Sequence, residues 1–157
     1  MKIDKKSFST VEVRSKLEHF CAYQERCYYE VENKLYDFQL STSEREDVLI
    51  YLIENNFINE ERFASIYTQS KLHQKKWGKV RIRIELKARK ISDYLINKSL
   101  KEIDEQEYFH TFETLAEKHW DSILERNSLK KNKKFCDFLL RKGWEKELVY
   151  AKVKDLT

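Results

Sequence analysis

With 157 residues, no proline and two glycines, the chain lacks the turn residues that an all-β fold would need. Charged residues make up 37%, apolar residues 41% and aromatic residues 13%, a balance that suits solvated helices and argues against disorder, since that many rings need somewhere to pack. The net charge is only +4, yet Lys71 to Lys90 alone carries nine lysines and arginines against Glu85, an excess of eight that leaves −4 for everything else. The positive charge is therefore local, and it points to a polyanion or an acidic partner surface.

The length allows one domain with a real core or a few small units in series. The amino-terminal MKIDKKSFST has no apolar segment of the kind a signal peptide needs. The longest purely apolar run, Val48 to Ile53, falls far short of the roughly 20 residues of a membrane span. Three cysteines, Cys21, Cys27 and Cys136, make an odd number without zinc-site spacing, which fits a reducing cytoplasm and reads Cys21 and Cys27 as small buried apolar groups.

Residues 1–8 are polar and read as a frayed terminus. Ser9-Thr10 followed by Glu12 starts a first helix, striped by Val13, Leu17, Phe20, Cys21 and Ala22. Tyr28, Val31, Leu35 and Phe38 draw a second, and Thr42-Ser43-Glu44 opens a third with Val48, Leu49, Leu52, Ile53 and Phe57 on one face. Asn59 caps a fourth, carried by Phe63, Ile66, Tyr67 and Leu72 up to Trp77, where Gly78 breaks it. Ser92-Asp93 caps the helix of Leu95, Ile96, Leu100 and Ile103. Asp104 begins a longer one through Phe109, Phe112, Leu115, Ala116, Trp120 and Ile123. Lys130 to Arg141 is basic and closed by Gly143, and Glu145 starts a last helix through Leu148, Val149 and Val153.

Between these, Val80, Ile82, Ile84, Leu86 and Ala88 alternate strictly with Arg81, Arg83, Glu85, Lys87 and Arg89. That alternation alone describes a half-buried strand. No other stretch offers a strand to pair with it, and an unpaired strand leaves its backbone groups unsatisfied. A helix is therefore expected, with its apolar residues split over two opposed stripes.

Val31, Leu35 and Leu40 match Ile82, Leu86 and Ile91 at a constant offset of 51, and these match Phe135, Leu139 and Trp144 at 53, joined by Leu95 with Leu148 and Ile96 with Val149. A period of roughly 50 residues reads as a short tandem array. The expected architecture is all-α, an elongated array of three three-helix repeats with about nine helices. The units fall at residues 9–58, 59–104 (central and basic) and 105–157.

Asn59-Glu60-Glu61-Arg62-Phe63-Ala64, then Gly78, Arg81-Ile82, Glu85-Leu86 and Ile91, resemble the middle repeat of the RecX family of regulatory proteins. That pattern is an acidic, Arg-Phe-Ala helix start, a basic segment, a glycine, Arg-Ile-x-x-Glu-Leu and Lys-Gly-Ile. The last turn is altered here to Arg89-Lys90-Ile91, which raises the prospect of a lysine at positive φ. It survives as Lys142-Gly143-Trp144 in the third repeat, and the first repeat matches least, with Phe38-Gln39-Leu40. The resemblance implies an array of three-helix repeats that lodges in the groove of the RecA filament on single-stranded DNA. It implies inhibition of ATP hydrolysis, strand exchange and co-protease activity, a role in DNA repair and the SOS response, and no catalytic site or cofactor. The partners it implies are the RecA filament and single-stranded DNA, with duplex DNA a weaker one, and the protein is expected to be a cytoplasmic monomer.

The candidate recombinase- or DNA-binding residues are Lys71, Lys75, Lys76, Lys79, Arg81, Arg83, Lys87, Arg89 and Lys90 in a first patch. Lys130, Lys131, Lys133, Lys134, Arg141 and Lys142, opposed only by Asp137, form a second. The plain alternative for both is a solvated helix face. Trp77, beside Lys75, Lys76 and Lys79, has the composition of a base-stacking platform, although packing at the junction before Gly78 is the favoured reading. The acidic stretch Glu102 to Glu117 holds six acids and no Lys or Arg and suits helix starts. His19, His73, His110 and His119 stand apart from any metal or nucleophile cluster, and no Walker loop, paired-carboxylate site or Ser-His-Asp set is present. The alternative functional readings are a DNA-binding helical module acting alone and a non-enzymatic protein-interaction scaffold.

Overall fold

The computed structural model describes residues 8–157; residues 1–7 of the expected frayed terminus lie outside them. Among the described residues there are nine α-helices and no strand: α1 (Thr10–Tyr23), α2 (Tyr28–Leu35), α3 (Thr42–Glu54), α4 (Glu60–Lys75), α5 (Lys79–Ala88), α6 (Asp93–Lys101), α7 (Glu105–Ser122), α8 (Ser128–Arg141) and α9 (Lys146–Leu156). No helix among them is long and apolar enough to cross a membrane, and among the described residues no group of three His, Cys, Asp or Glu could hold a metal ion.

The starts are set by side-chain oxygens. Ser9, Ser41, Asn59, Ser92, Asp104 and Asn127 accept from the amides of Glu12, Glu44, Arg62, Leu95, Glu107 and Lys130, each such cap being worth about 1 kcal/mol. Two starts differ from the sequence reading: α3 is capped one residue early by Ser41, in a box with Glu44, and α8 begins behind Asn127, ahead of the lysines.

The alternating segment is helical. Ile82 and Leu86 are fully buried, while Val80 and Ile84 are 45% and 59% exposed, because residues four apart share a helix face and residues two apart do not. Burying Ile82 and Leu86 is worth about 1.5–3 kcal/mol each. The expected stripes otherwise hold with a few outward members: Ala22, Ile53, Ile66 and Phe109 are exposed. Tyr108, passed over for its neighbour Phe109, is the buried ring.

Helix packing follows chain order. The principal pairings are α1 with α3 and α2 with α3, then α4 with α5 and α6 and α5 with α6, then α7 with α8 and α8 with α9; α4 also meets α7. Every residue of the 51- and 53-residue offsets except the half-buried Leu95 and Leu148 is buried. The buried residues form two cores. One runs from Val13 to Ile58, and the other from Phe63 to Val149 with Cys27 added. Phe8 stands edge-on to Phe38 at 5.7 Å. Cys21 and Cys27 are buried as expected, and burial pushes their thiols up to about 11 and about 12.

The same turn ends α5 and α8. Lys90 and Gly143 have φ of 59° and 94°. The following amides, of Ile91 and Trp144, reach back to Leu86 O (3.1 Å) and Leu139 O (3.2 Å). This is a Schellman closure, in which the left-handed residue lets the next side chain drop into the core. Ile91 and Trp144 are 5% and 1% exposed. At the corresponding end of α2 the turn is absent, since Gln39 is not at positive φ; the same closure instead ends α3, where Asn56 has φ 61° and Phe57 N reaches Leu52 O (2.8 Å).

Candidate functional site

The chain's two glycines face each other. Gly78 N donates to Lys142 O (2.9 Å) and Val80 N to Gly143 O (3.0 Å), so the start of α5 is pinned to the end of α8 through backbone alone. A Cβ on Gly78 would come within 2.6 Å of Trp144 Cα, and one on Gly143 within 2.5 Å of Arg81 N. Neither position has room for a side chain, and Gly143 also needs its positive φ.

Side chains complete this seam. Trp144 Nε1 donates to Lys76 O (3.1 Å), Lys142 Nζ to Lys75 O (3.1 Å), and the Arg81 guanidinium to Arg141 O (3.3 Å). Underneath, the Tyr108 hydroxyl accepts from Lys79 N (2.9 Å) and donates to the Glu145 carboxylate (2.7 Å). Burial, helped by Glu145, pushes the Tyr108 phenol far above its ordinary value, so it stays a neutral donor. With these partners the amides of Gly78, Lys79 and Val80 are satisfied from within the protein.

The consequence for charge is that two patches separate in sequence become one. The backbones of Lys75, Lys76, Arg141 and Lys142 meet the Arg81 end of α5 at the seam, where the charges of Lys75 and Arg81 act on Lys142, and none of the five has an ion-pair partner among the described residues. Burial first, then the nearby Arg81 and Lys75, holds the Lys142 ammonium below the usual lysine value. The cluster thus carries uncompensated repulsion, which an arriving anion would relieve.

The other candidates go elsewhere. Arg81 lies 4.2 Å from the Trp77 ring centre and Lys71 5.2 Å from it. Trp77 is also half-buried against Tyr67, so it holds cations at the junction and is occupied as a base-stacking platform. Lys79 sits 4.6 Å over Tyr108. Arg89 turns inward to Glu85 (3.2 Å) and Glu30 (3.8 Å). Lys87 pairs with Asp93 at 3.5 Å, Lys133 with Asp137 at 2.7 Å and Lys134 with Glu125 at 3.5 Å. Lys131 covers Trp120 at 4.0 Å and Lys90 lies 5.2 Å from Tyr29. Arg83 lines a separate groove beside α6, and Lys130 is exposed on α8. In the acidic stretch Asp104 caps α7, Glu107 meets His73 at 3.1 Å, and Glu113 and Glu117 hold Lys152.

Sequence reasoning missed Tyr108 and Glu145, and it missed the joining of the patches. The available signal was the placement of the chain's two glycines, each next to the basic run of its own repeat.

Comparison with known proteins agrees with this architecture. Residues 59–100 match the family model described as RecX, second three-helix domain. Over 139 residues the chain is 28% identical to a regulatory protein RecX of Bacillus cytotoxicus, covering 87% of this chain and 51% of that one. Over 137 residues it is 25% identical to one of Bacillus cereus, with the same coverage. The chain therefore spans about half the length of these curated relatives. Among solved structures, RecX from Lactobacillus salivarius superposes with a TM-score of 0.78 at 22% identity, covering 94% of this chain and 96% of that one. A second structure, described as regulatory protein RecX, gives 0.81 at 20% identity, with 93% and 73% covered; both likenesses establish the shared all-helical fold. Arg62-Phe63-Ala64, Gly78 and Glu85-Leu86 lie inside the matched segment, so the likeness to RecX proteins rests on residues 59–100, which match the RecX second three-helix domain.

Proposed function

We propose that this chain regulates a RecA-type recombinase by binding the filament that the recombinase forms on single-stranded DNA. Bound in the filament groove, it inhibits ATP hydrolysis, strand exchange and co-protease activity, and so modulates DNA repair and the SOS response. It does so as a cytoplasmic monomer with no catalytic chemistry of its own. The three-repeat division at residues 9–58, 59–104 and 105–157 belongs to the same proposal.

The observation that carries this reading is the seam: five cations from two repeats, joined across Gly78 and Gly143 without a carboxylate to neutralise them. Such a surface gains most from a polyanion or from a strongly acidic protein face. The proposed mechanism is differential affinity: binding one filament conformation more tightly than another suppresses cycling between them.

The test is the ATPase rate of a recombinase filament preassembled on single-stranded DNA, titrated with the protein at two salt concentrations. Inhibition should occur and weaken with salt. The double variant Lys75→Glu with Arg141→Glu changes two exposed side chains and should raise the half-inhibiting concentration at least tenfold. Failure of the wild-type protein to inhibit, combined with tight single-strand binding whose log affinity falls by about 0.7 per phosphate neutralised against log salt, would replace this reading with that of a DNA-binding module acting alone.

A further inference from the structure

The outward apolar stripe of α5 is not used by the seam. Val80 and Ile84, 45% and 59% exposed, form one wall of a groove of about 530 Å³ floored by the buried Leu100 and Ile103. Arg83 and Lys101 also line it, and neither has an ion-pair partner among the described residues. At the far end are Lys79, held over the Tyr108 ring, and two acids: Glu145, which accepts from the Tyr108 hydroxyl, and Glu105 in the first turn of α7.

A helix with solvated apolar residues on the side opposite its buried face needs an explanation. The alternation of Val80, Arg81, Ile82, Arg83 and Ile84 places an aliphatic pair in solvent beside unpaired cations, where a purely solvated face would carry polar residues. Nucleic acid is a poor occupant. The lining has no aromatic ring on which a base could stack, and aliphatic walls offer a phosphate nothing. A protein segment that projects an apolar side chain next to an aspartate or glutamate fits both properties: the side chain enters between Val80, Ile84 and Leu100, and the carboxylate meets Arg83 and Lys101.

We propose that this groove docks an acidic, apolar-anchored segment of the recombinase itself, so that one chain meets the protein part of the filament through α5 and α6 and the phosphates through the glycine seam. This rests on the function proposed above and specifies which surface reads which partner.

The experiment is co-sedimentation with, and ATPase inhibition of, preassembled recombinase filaments by the double variant Val80→Gln with Ile84→Gln. That variant keeps charge, does not lower helix propensity and alters only exposed positions. Binding to naked single-stranded DNA and sedimentation of the protein alone are measured alongside. The expected result is a filament affinity lowered at least tenfold, with single-strand binding within twofold of wild type and helicity unchanged. Arg83→Gln with Lys101→Gln should lower filament affinity in a salt-dependent way. Equal filament binding by a folded double variant overturns the inference and leaves the functional proposal standing. A parallel loss of naked-strand affinity also overturns it, by making the groove a nucleic-acid surface, and so does a wild-type dimer that the variant abolishes. Absence of filament binding by the wild-type protein overturns the functional proposal and this inference together.

Discussion

At Gly78 and Gly143 two stretches of backbone touch with no side chain between them, whereas α1–α3 meet the rest of the chain through charged side chains around the apolar contacts of Cys27 and Tyr29. There Arg62 Nε contacts Glu25 at 2.7 Å, Arg89 Nε lies 3.8 Å from Glu30, and Glu60 accepts the Tyr28 amide at 3.4 Å. The first arrangement tolerates no added atom. The second is more adjustable, since these partly buried ion pairs still reach solvent and respond to salt, though less than fully exposed ones. The contrast also explains the altered family turn. Lys90 and Gly143 occupy the same left-handed position, but Lys90 is exposed and Gly143 buried against Arg81. A lysine can stand where solvent lies beyond the Cβ, and only glycine where backbone does.

Substitutions that test this contrast follow in order of size. Gly143→Ala should lose roughly 3–4 kcal/mol, combining a strained φ with overpacking against Arg81. A urea-unfolding change below about 1 kcal/mol would mean the seam can open without penalty. Tyr108→Phe strips Lys79 N and Glu145 of their shared partner and should cost about 1–3 kcal/mol, read the same way. Glu25→Gln, at the charged junction, should cost about 1 kcal/mol at low salt and less in 1 M salt; equal losses at both would show that the ion pair is not what holds that junction. Lys90→Gly should be neutral or stabilising by up to about 1 kcal/mol, opposite in sign to Gly143→Ala.

A pH test separates the junctions as well. Burial, partly offset by the Tyr28 amide, raises the Glu60 carboxyl above its ordinary value. A raised folded value means a stability contribution fully present below the ordinary carboxylate range and lost as pH rises through the folded value. Glu60→Gln should therefore gain on wild type between acid and neutral pH, measured as the difference in melting temperature at pH 4 and pH 7. An unchanged difference would show that Glu60 is solvated in solution.

The helices were legible because their evidence is local: caps such as Asn59, Ser92 and Asp104, and stripes such as Val48, Leu49 and Leu52, lie within one turn of what they determine. The repeat was legible because positions like Ile82 and Phe135 do the same task in each unit. The seam was not, since it joins residues some sixty-five apart, Gly78 with Gly143 and Lys76 with Trp144, and no periodicity reports a contact between turns. The choice of Phe109 over Tyr108 failed for a related reason. The buried member is selected by Glu145 and Lys79, which supply partners for a hydroxyl, and those lie outside its own helix. The joining of the two basic patches is a property of packing, so counting charges along the chain could find each patch but not their union.

Cys27 belongs by sequence to the first three helices and by burial to the core of the others, where it is fully enclosed and its thiol lies 4.0 Å from Arg89 O. Cys21 lies in the first core, and Cys136 is partly exposed. The three thiols therefore form a built-in set of clocks. Alkylation of Cys136 reports the surface, alkylation of Cys27 reports separation of α1–α3 from the remainder, and alkylation of Cys21 reports loosening of the first core itself. With Cys21 and Cys27 held at about 11 and about 12, neither reacts appreciably at neutral pH until its enclosure opens. The ratio of their labelling rates, taken with and without a bound filament, would time the detachment of the first three helices with no added label.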